Sequence, residues 1–541
     1  MDGLMQPRPL TIAHLFERAE TFFGHKHVVD ADGTRTPYRA WARRVRRLAA
    51  ALGALRVAPG ARVATLAANH RRHLEVYAAV PISKRVLHTL NIRLPVEHLV
   101  HIIDHAGDDV VFLDRRHLPL IEACLDRLPG VRHWVVFPDG TDHALPDDAR
   151  FQHYDDLLAA SPPVEGSFEA TFSGAEENLA AGLCYTSGTT GHPKGVLYSH
   201  RSTVLHCLGT LAAGLIGISE RDVVLPVVPM FHANAWGLPY GALMAGADLV
   251  LPGASADPEH LAGLIQAHRV TVAAAVPTVW TGLLPALRNR DCSSLRFLLG
   301  GGSVVTSHLS AAYEAAIGIP ITHSWGMTEV SPVGAIGGLR SQHDDLAPDA
   351  RALVASAQGQ PAPLVSVRIV DVDTGEPRPH DGRSVGELQV AGPWVAAGYV
   401  GGAGADTFTA DGWLRTGDLA SIDEHGYLRL VDRIKDLIKS GGEWISSVEL
   451  EAAIATHPDV DQVAVVARDH PTWVERPVAF VVLRAGSATT VGDLRDHLSR
   501  RIASWWMPDD FILRDSIPLT GTGKPAKRTL RESLRTAAGT I

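Results

Sequence analysis

The stretch TSGTTGHPKG, Thr186 to Gly195, follows the apolar run LAAGLCY and precedes a helical pattern, VLYSHRSTVLHCLGTL. Three Gly, one Pro, four hydroxyl side chains and one Lys share these ten residues. A loop of that composition can turn its backbone N–H groups inward as a nest, and hydroxyls plus one ammonium complete a cradle for phosphate oxygens. It is not a Walker A loop, because His192 and Pro193 separate the last Gly of the nest from Lys194. A flexible Ser/Thr/Gly linker is the plain alternative.

Working outward, short β-like runs alternate with longer helical stretches. The strand-like runs are RVATLAANH (62–70), DVVFLD (109–114), HWVVFP (133–138), DVVLPVVPMFH (222–232), TVAAAVPTVW (271–280) and LRFLLGGG (295–302). The helical segments are 84–106 less its breaks, 199–215, 257–268 and 306–317. Such alternation predicts an α/β fold with largely parallel sheets. Segment 340–363 reads as a loop-rich connection, and 364–431 as a β-rich subdomain of short strands with turn signals. Segment 438–541 has its own αβ pattern. The expected architecture is a large N-terminal domain of mixed and parallel sheets with helices (1–431), a hinge at DRIKDL (432–437) and a small mobile α+β C-terminal domain (438–541).

Composition narrows the function. Among 541 residues, 50 are Lys or Arg and 59 Asp or Glu, a net charge of −9 with no basic run, which argues against nucleic acid or an anionic membrane surface as partner. With 46% apolar and 20% charged residues, the chain is globular rather than disordered. The four cysteines (124, 184, 207, 292) are scattered with no CxxC pair, as expected in a reducing compartment. The N-terminus lacks a basic start and apolar run, and no stretch approaches 18 apolar residues, so a cytoplasmic protein without a membrane span is expected. Lys occurs only at 26, 84, 194, 435, 439, 524 and 527, and Arg supplies the rest of the 50 basic residues. A retained Lys therefore marks a candidate site for a compact ammonium on a flexible stem.

The loop resembles the phosphate-binding signature of the AMP-forming adenylating enzymes: acyl-CoA synthetases, luciferases and peptide-synthetase adenylation domains. Further motifs follow in that family's order. PMFHANAW (229–236) resembles the acyl-pocket segment, WGMTE (325–329) the adenine and magnesium motif, and RTGD (415–418) the ribose-binding segment. DRIKDLIKSGGEWIS (432–446) resembles the hinge and following hairpin, and PLTGTGK (518–524) ends on the catalytic Lys. The phrases NAW and SGGEWISS are similar to the medium/long-chain fatty-acyl-CoA ligase branch.

The resemblance implies an acyl-adenylate mechanism with ATP, Mg²⁺ and CoA. Ser187, Gly188, Thr189 and Thr190, with Thr186, would hold phosphate oxygens. Lys194 would take the β/γ charge, and Glu329 with Thr186 a Mg²⁺ ion. Gly302, Trp325, Gly326, Met327 and Thr328 would surround the adenine, with Trp325 standing where the family commonly has Tyr. Asp418 would accept the ribose hydroxyls and Arg433 donate to ribose or phosphate, while Lys524 would bridge carboxylate and α-phosphate. His232, Trp236, Gly300, Gly301 and Gly302 would line the acyl pocket. Lys435 belongs to the hinge, and Lys439, Gly441 and Gly442 to the hairpin that replaces Lys524 when the small domain turns to meet CoA. NIR (Asn91 to Arg93) resembles a motif whose Arg contacts the nucleotide end of CoA. Homodimerisation is a family-level expectation, and acetylation of Lys524 would delete the charge that adenylation needs.

Two features depart from this pattern. At Pro81-Ile82-Ser83-Lys84-Arg85 two cations replace the small residues usual in fatty-acyl ligases. They read either as a solvated helix end or as an anion site. An anion site would suit a branch of ligase-like proteins that uses ATP and nitrite to diazotise aromatic amines, and this is the alternative function. A third class is a non-catalytic nucleotide-binding sensor or scaffold, against which the retention of Lys194, Glu329 and Lys524 argues. His98, His101 and His105 recur at i, i+3, i+7 on one helical face, with no further ligand nearby to close a metal shell.

Overall fold

The structure, a computed structural model, describes residues 3–186, 193–355, 357–441, 443–520 and 524–538. Two large sheets form the first part of the chain. In the seven-stranded sheet the spatial order runs Phe151–His153, His133–Phe137, Asp108–Asp114, Arg62–Leu66, Val86–Thr89, Ala180–Tyr185, Gly195–Ser199. All its neighbours are parallel except the last pair, a hairpin whose connection is the phosphate-loop candidate. The nine-stranded sheet is parallel through Ile321–Gly326, Phe297–Gly300, Val272–Ala275, Val223–Pro226, Asp248–Val250 and His27–Val29, with antiparallel strands at both edges.

One apolar core joins helices to both sheets, and its centre is the helix Arg71–Ile82, buried from His73 to Ile82. His70 caps it by accepting from the His73 N–H. The helix also carries a wholly buried Glu75, kept tolerable by donors from Arg44 (2.7 Å), Arg71 (2.5 Å) and the Tyr154 hydroxyl (2.5 Å). A four-stranded antiparallel sheet follows: Ser366–Val370, Gly386–Ala391, Leu414–Ile422 and Leu428–Arg433. Beyond it Ile438–Ser440, Glu443–Ile445, Val460–His470, Val474–Leu483 and Asp510–Leu513 form a five-stranded sheet with its own core against the helices Ser447–Ala455 and Val491–Ser499.

Three local expectations change. Segment 84–106 is a strand, Val86–Thr89, before a helix, Val96–Ala106, because VLHT is buried on every residue between two parallel neighbours. The run 271–280 is strand only to Ala275, since Pro277 stands at the first position of the helix Pro277–Leu287. The connection 340–363 contains a helix, Pro348–Ala355. Among the described residues no helix is long and apolar enough to cross a membrane.

Candidate active site

The site assembles where parallel strands of both sheets end, the edge at which open α/β sheets bind ligands. From the seven-stranded sheet comes the base of the phosphate loop. The Thr186 N–H donates to the Lys194 carbonyl (2.9 Å), and Thr186 Oγ1 accepts from the Lys194 N–H (3.2 Å). These bonds close the loop at its neck and leave the Thr186 hydroxyl proton free to donate. Ser187, Gly188, Thr189 and Thr190 lie outside the described residues.

From the nine-stranded sheet come the other components. Strand Ile321–Gly326 delivers Trp325 and then the short turn Thr328–Val330 carrying Glu329, which is 7% exposed. Met327 N–H donates to the Pro332 carbonyl, beside which Gly326 also packs, and the Thr328 carbonyl accepts from the Tyr198 hydroxyl. The Tyr399 hydroxyl donates to Glu329 Oε1 at 2.6 Å. Trp325 is largely covered and wedged against Gly334, and its indole N–H donates to Asp418 Oδ2 at 2.9 Å. The indole is thus a buried prop for Asp418 rather than the open stacking platform that a flat ring at this position implies. The other oxygen of Asp418 accepts from Arg433 Nε at 3.0 Å.

The small domain contributes Lys524. Its stem passes over Gly302, where a Cβ would stand 3.8 Å from Lys524 Cε in an already left-handed backbone (φ +83°). Withdrawal from water and the nearby Arg433 and Lys435 depress the Lys524 ammonium to a pKa of about 8. Burial likewise lowers Lys435, with Asp436 opposing. His232 is pushed down to about 4, first by desolvation and then by Lys524 and Arg93, so its ring is neutral at pH 7. Lys524 therefore lies within electrostatic reach of Arg433, Asp418 and Lys435 and of His232.

At the acyl end, Gly300 ends the strand Phe297–Gly300 and Gly301 follows it. A side chain on Gly301 would lie 2.6 Å from Ser324 Oγ and 3.2 Å from the Trp236 ring, so Trp236 closes down on this floor. A cavity of about 40 Å³ reaches from Arg93 to His232, walled by Phe231, Val228, Val276 and Val279. Residues 233–236 all have left-handed backbone, φ +41° to +56°. Such geometry costs roughly 1–2 kcal/mol per non-Gly residue. Distant residues hold the segment in place. Asn69 donates to the Pro226 and Val228 carbonyls and accepts from the Met230 N–H (2.7 Å), Tyr77 donates to the Met230 carbonyl, and Thr89 to the Phe231 carbonyl (3.3 Å). None of these three braces has a motif of its own, and the only signal was the reading of 222–232 as one long strand, which in fact stops at Pro226.

Other predicted residues are not brought to this site. Lys439 is exposed and sits 4.7 Å above the Trp444 ring, and Gly441 packs on Trp473. Gly442 lies outside the described residues. Lys527, counted among the significant lysines, is spent inside the small domain on Ser447 Oγ and Glu451, each at 2.7 Å. The anion-site expectation at Lys84–Arg85 is corrected. Lys84 Nζ donates to the Thr171 carbonyl and Glu176 Oε1, both at 2.7 Å, and Arg85 donates to the Val57 and Ser83 carbonyls. Both cations bind protein: segment 168–178 supplies the partners of Lys84, and the Val57 and Ser83 carbonyls take Arg85. On the helix Val96–Ala106, His101 and His105 stack at 5.6 Å, and His105 Nδ1 pairs with the Tyr185 hydroxyl (2.6 Å). Among the described residues no three His, Cys, Asp or Glu side chains cluster as a metal cage. A Mg²⁺ ion fits the site in a different way, since it is commonly held by one carboxylate, water and substrate phosphates. Glu329 offers such a carboxylate, with Oε1 tied and Oε2 without a protein partner among the described residues.

Comparison with known proteins gives the family. The chain matches the AMP-binding enzyme family over residues 15–400 and the AMP-binding enzyme C-terminal domain over 449–524. It is 42% identical to a 3-methylmercaptopropionyl-CoA ligase of Ruegeria lacuscaerulensis, covering 99% of both chains. It is 43% identical to a long-chain-fatty-acid–CoA ligase of Thermus thermophilus, covering 99% of this chain and 97% of that one. The crystal structure of ATP-bound MatB from Rhodopseudomonas palustris superposes with a TM-score of 0.83 at 26% identity, over 98% of this chain and 99% of that chain. The chain belongs to the AMP-binding enzyme family.

Proposed function

We propose that this protein is an AMP-forming acid:CoA ligase. It joins an apolar carboxylic acid to ATP as an acyl-adenylate, releases pyrophosphate, and passes the acyl group to CoA. The observation that carries this reading is the insertion of Lys524 over Gly302, within electrostatic reach of the Asp418–Arg433 pair and of His232. An ammonium there meets both the substrate carboxylate and the α-phosphate, and little covalent work is left for the protein beyond positioning and charge neutralisation.

In the first half-reaction the carboxylate oxygen attacks the α-phosphorus, and the bond to the bridging oxygen of pyrophosphate breaks. Lys524 neutralises the charge that gathers on the α-phosphate, Asp418 holds the ribose, and Thr186 and Lys194 receive the departing pyrophosphate. Glu329 would hold Mg²⁺, which when bound supplies charge neutralisation on the phosphates. His232, neutral at working pH, can border the carboxylate without trapping it as an ion pair. In the second half-reaction the small domain turns about 432–437, Lys524 leaves, and the hairpin with Lys439, Gly441 and Gly442 takes its place, with Arg93 toward the CoA nucleotide. The half-exposed Trp444 and Trp473 beside Gly441 support this, being apolar surface that the present pose leaves unused (49% and 50% exposed). The apolar walls around His232 support an apolar acid, and a medium/long-chain fatty acid or an arylalkenoic acid is the class proposed.

Pyrophosphate release, assayed on a panel of fatty and aromatic acids with CoA or nitrite added separately, tests the reading. Release that requires an acid and is accelerated by CoA is expected. Release that ignores both, or that needs nitrite and an aromatic amine, would overturn it.

A further inference from the structure

Tyr399 belongs to none of the motifs that mark the site in the sequence, yet it touches both ends of the phosphate region. Its hydroxyl donates to Glu329 Oε1 (2.6 Å), and its ring face lies 4.9 Å from Lys194 Nζ. The two contacts use different parts of one rigid group.

The surroundings fix the ring. The Ala396 N–H donates to the Glu329 carbonyl (2.7 Å), and Ser331 Oγ donates to the Trp394 carbonyl (2.8 Å), which stitches the backbone leading into Tyr399 onto the Glu329 turn. Phe408 packs edge-on at 5.6 Å. Beside the Lys194 ammonium, Gly404 has left-handed backbone (φ +62°), and a Cβ there would fall 2.4 Å from Lys194 Nζ. The chain thus leaves out a side chain where the ammonium must lie to meet the ring.

We propose that Tyr399 is a positioning residue that sets Glu329 for the metal through its hydroxyl and Lys194 for the phosphates through its ring face. This rests on the assignment of Glu329 to Mg²⁺ and Lys194 to phosphate made above. With Oε1 held by Tyr399, Glu329 Oε2 is oriented before any ion arrives, and partners of this kind typically change metal affinity by 10- to 100-fold when removed. The ring face is a separate, weaker restraint on Lys194.

ATP binding measured by calorimetry without acid substrate, in EDTA and across a Mg²⁺ titration, separates the two arms. Tyr399→Phe keeps the ring, so metal-free ATP binding should stay within about twofold of the parent. The Mg²⁺ needed for half-maximal tightening should rise about tenfold. Tyr399→Leu should show the same Mg²⁺ defect and also weaken metal-free ATP binding by about threefold or more. A Tyr399→Phe protein that titrates with Mg²⁺ like the parent overturns the proposal, as do Phe and Leu variants that bind metal-free ATP alike. If the Leu variant does not fold, the Phe variant decides alone. Glu329→Gln is the control on the underlying assignment: if Mg²⁺ still tightens ATP binding in that variant, the metal role of Glu329 fails, independently of Tyr399.

Discussion

The phosphate end and the acyl end of the site are built in opposite ways. At the phosphate end, Thr186 and Lys194 close one hairpin loop whose Gly and hydroxyl density announces its chemistry locally. At the acyl end, Phe231 and His232 lead into the left-handed segment 233–236 that carries Trp236, and the approach to it is held by Asn69, Tyr77 and Thr89 from the other sheet and its central helix. On the function proposed, the first end takes a ligand with fixed chemistry and can be written in a few residues. The second must fit a variable acid, and its shape comes from bracing. The two named relatives differ in the acid they carry at nearly the same identity to this chain, which fits that division.

Lys524→Ala should break the comparison most strongly, because it removes the charge that joins the two ends. Pyrophosphate release should fall at least 100-fold, a loss of about 3 kcal/mol in the transition state. Thioester formation from a preformed acyl-adenylate should stay within about threefold, since that pose does not use this lysine; an equal fall in both half-reactions would count against the two-pose reading. The parent kcat/KM for the acid should also decline above pH 8. The depressed ammonium loses its proton there, and the free-enzyme pKa governs this parameter. Lys524→Arg should carry that decline beyond the measurable range.

Asn69→Ala tests the acyl end alone. It strands two buried carbonyls and one buried N–H, each a loss on the order of 1–3 kcal/mol if left unsatisfied. The acid KM should rise about tenfold or more by the same reckoning, while calorimetric ATP affinity stays near the parent value. A matching loss of ATP affinity would mean that the two ends are not separately built. The smallest effect belongs to Lys84→Met. Its partly exposed pair with Glu176 should be worth less than about 1 kcal/mol in thermal denaturation. Pyrophosphate release should be unchanged with or without nitrite. A nitrite-dependent activity lost in this variant would restore the anion-site reading that the ion pair argues against.

Much of the fold was legible because strand and helix periods are local properties. The runs 109–114, 133–138 and 295–302 each contain a parallel strand, and the helices at 200–211, 258–268 and 307–317 fall within their predicted stretches. The reading failed where burial on both faces erased the period. VLHT at 86–89 is apolar enough to pass for part of a helix, and 222–232 passes for one strand although the strand stops at Pro226 and the chain turns left-handed just beyond, at 233–236. Lysine scarcity singled out Lys194, Lys435 and Lys524, but it also raised Lys527, whose ammonium closes a partly buried pair in the small domain.

By itself the sequence determined the order of α and β elements, the phosphate loop and the string of motifs that names the family. Each of these rests on residues close together in the chain, where composition and spacing carry the chemistry. Only the tertiary structure decided that Trp325 props Asp418 through its indole N–H, that Lys84 and Arg85 serve the protein rather than an anion, and that Tyr399 spans Glu329 and Lys194. The physical reason is separation along the chain. Asn69 and Met230 are 161 residues apart, Trp325 and Asp418 93, and Tyr399 and Glu329 70. No local pattern encodes which of such distant groups will share a hydrogen bond until the sheets have packed.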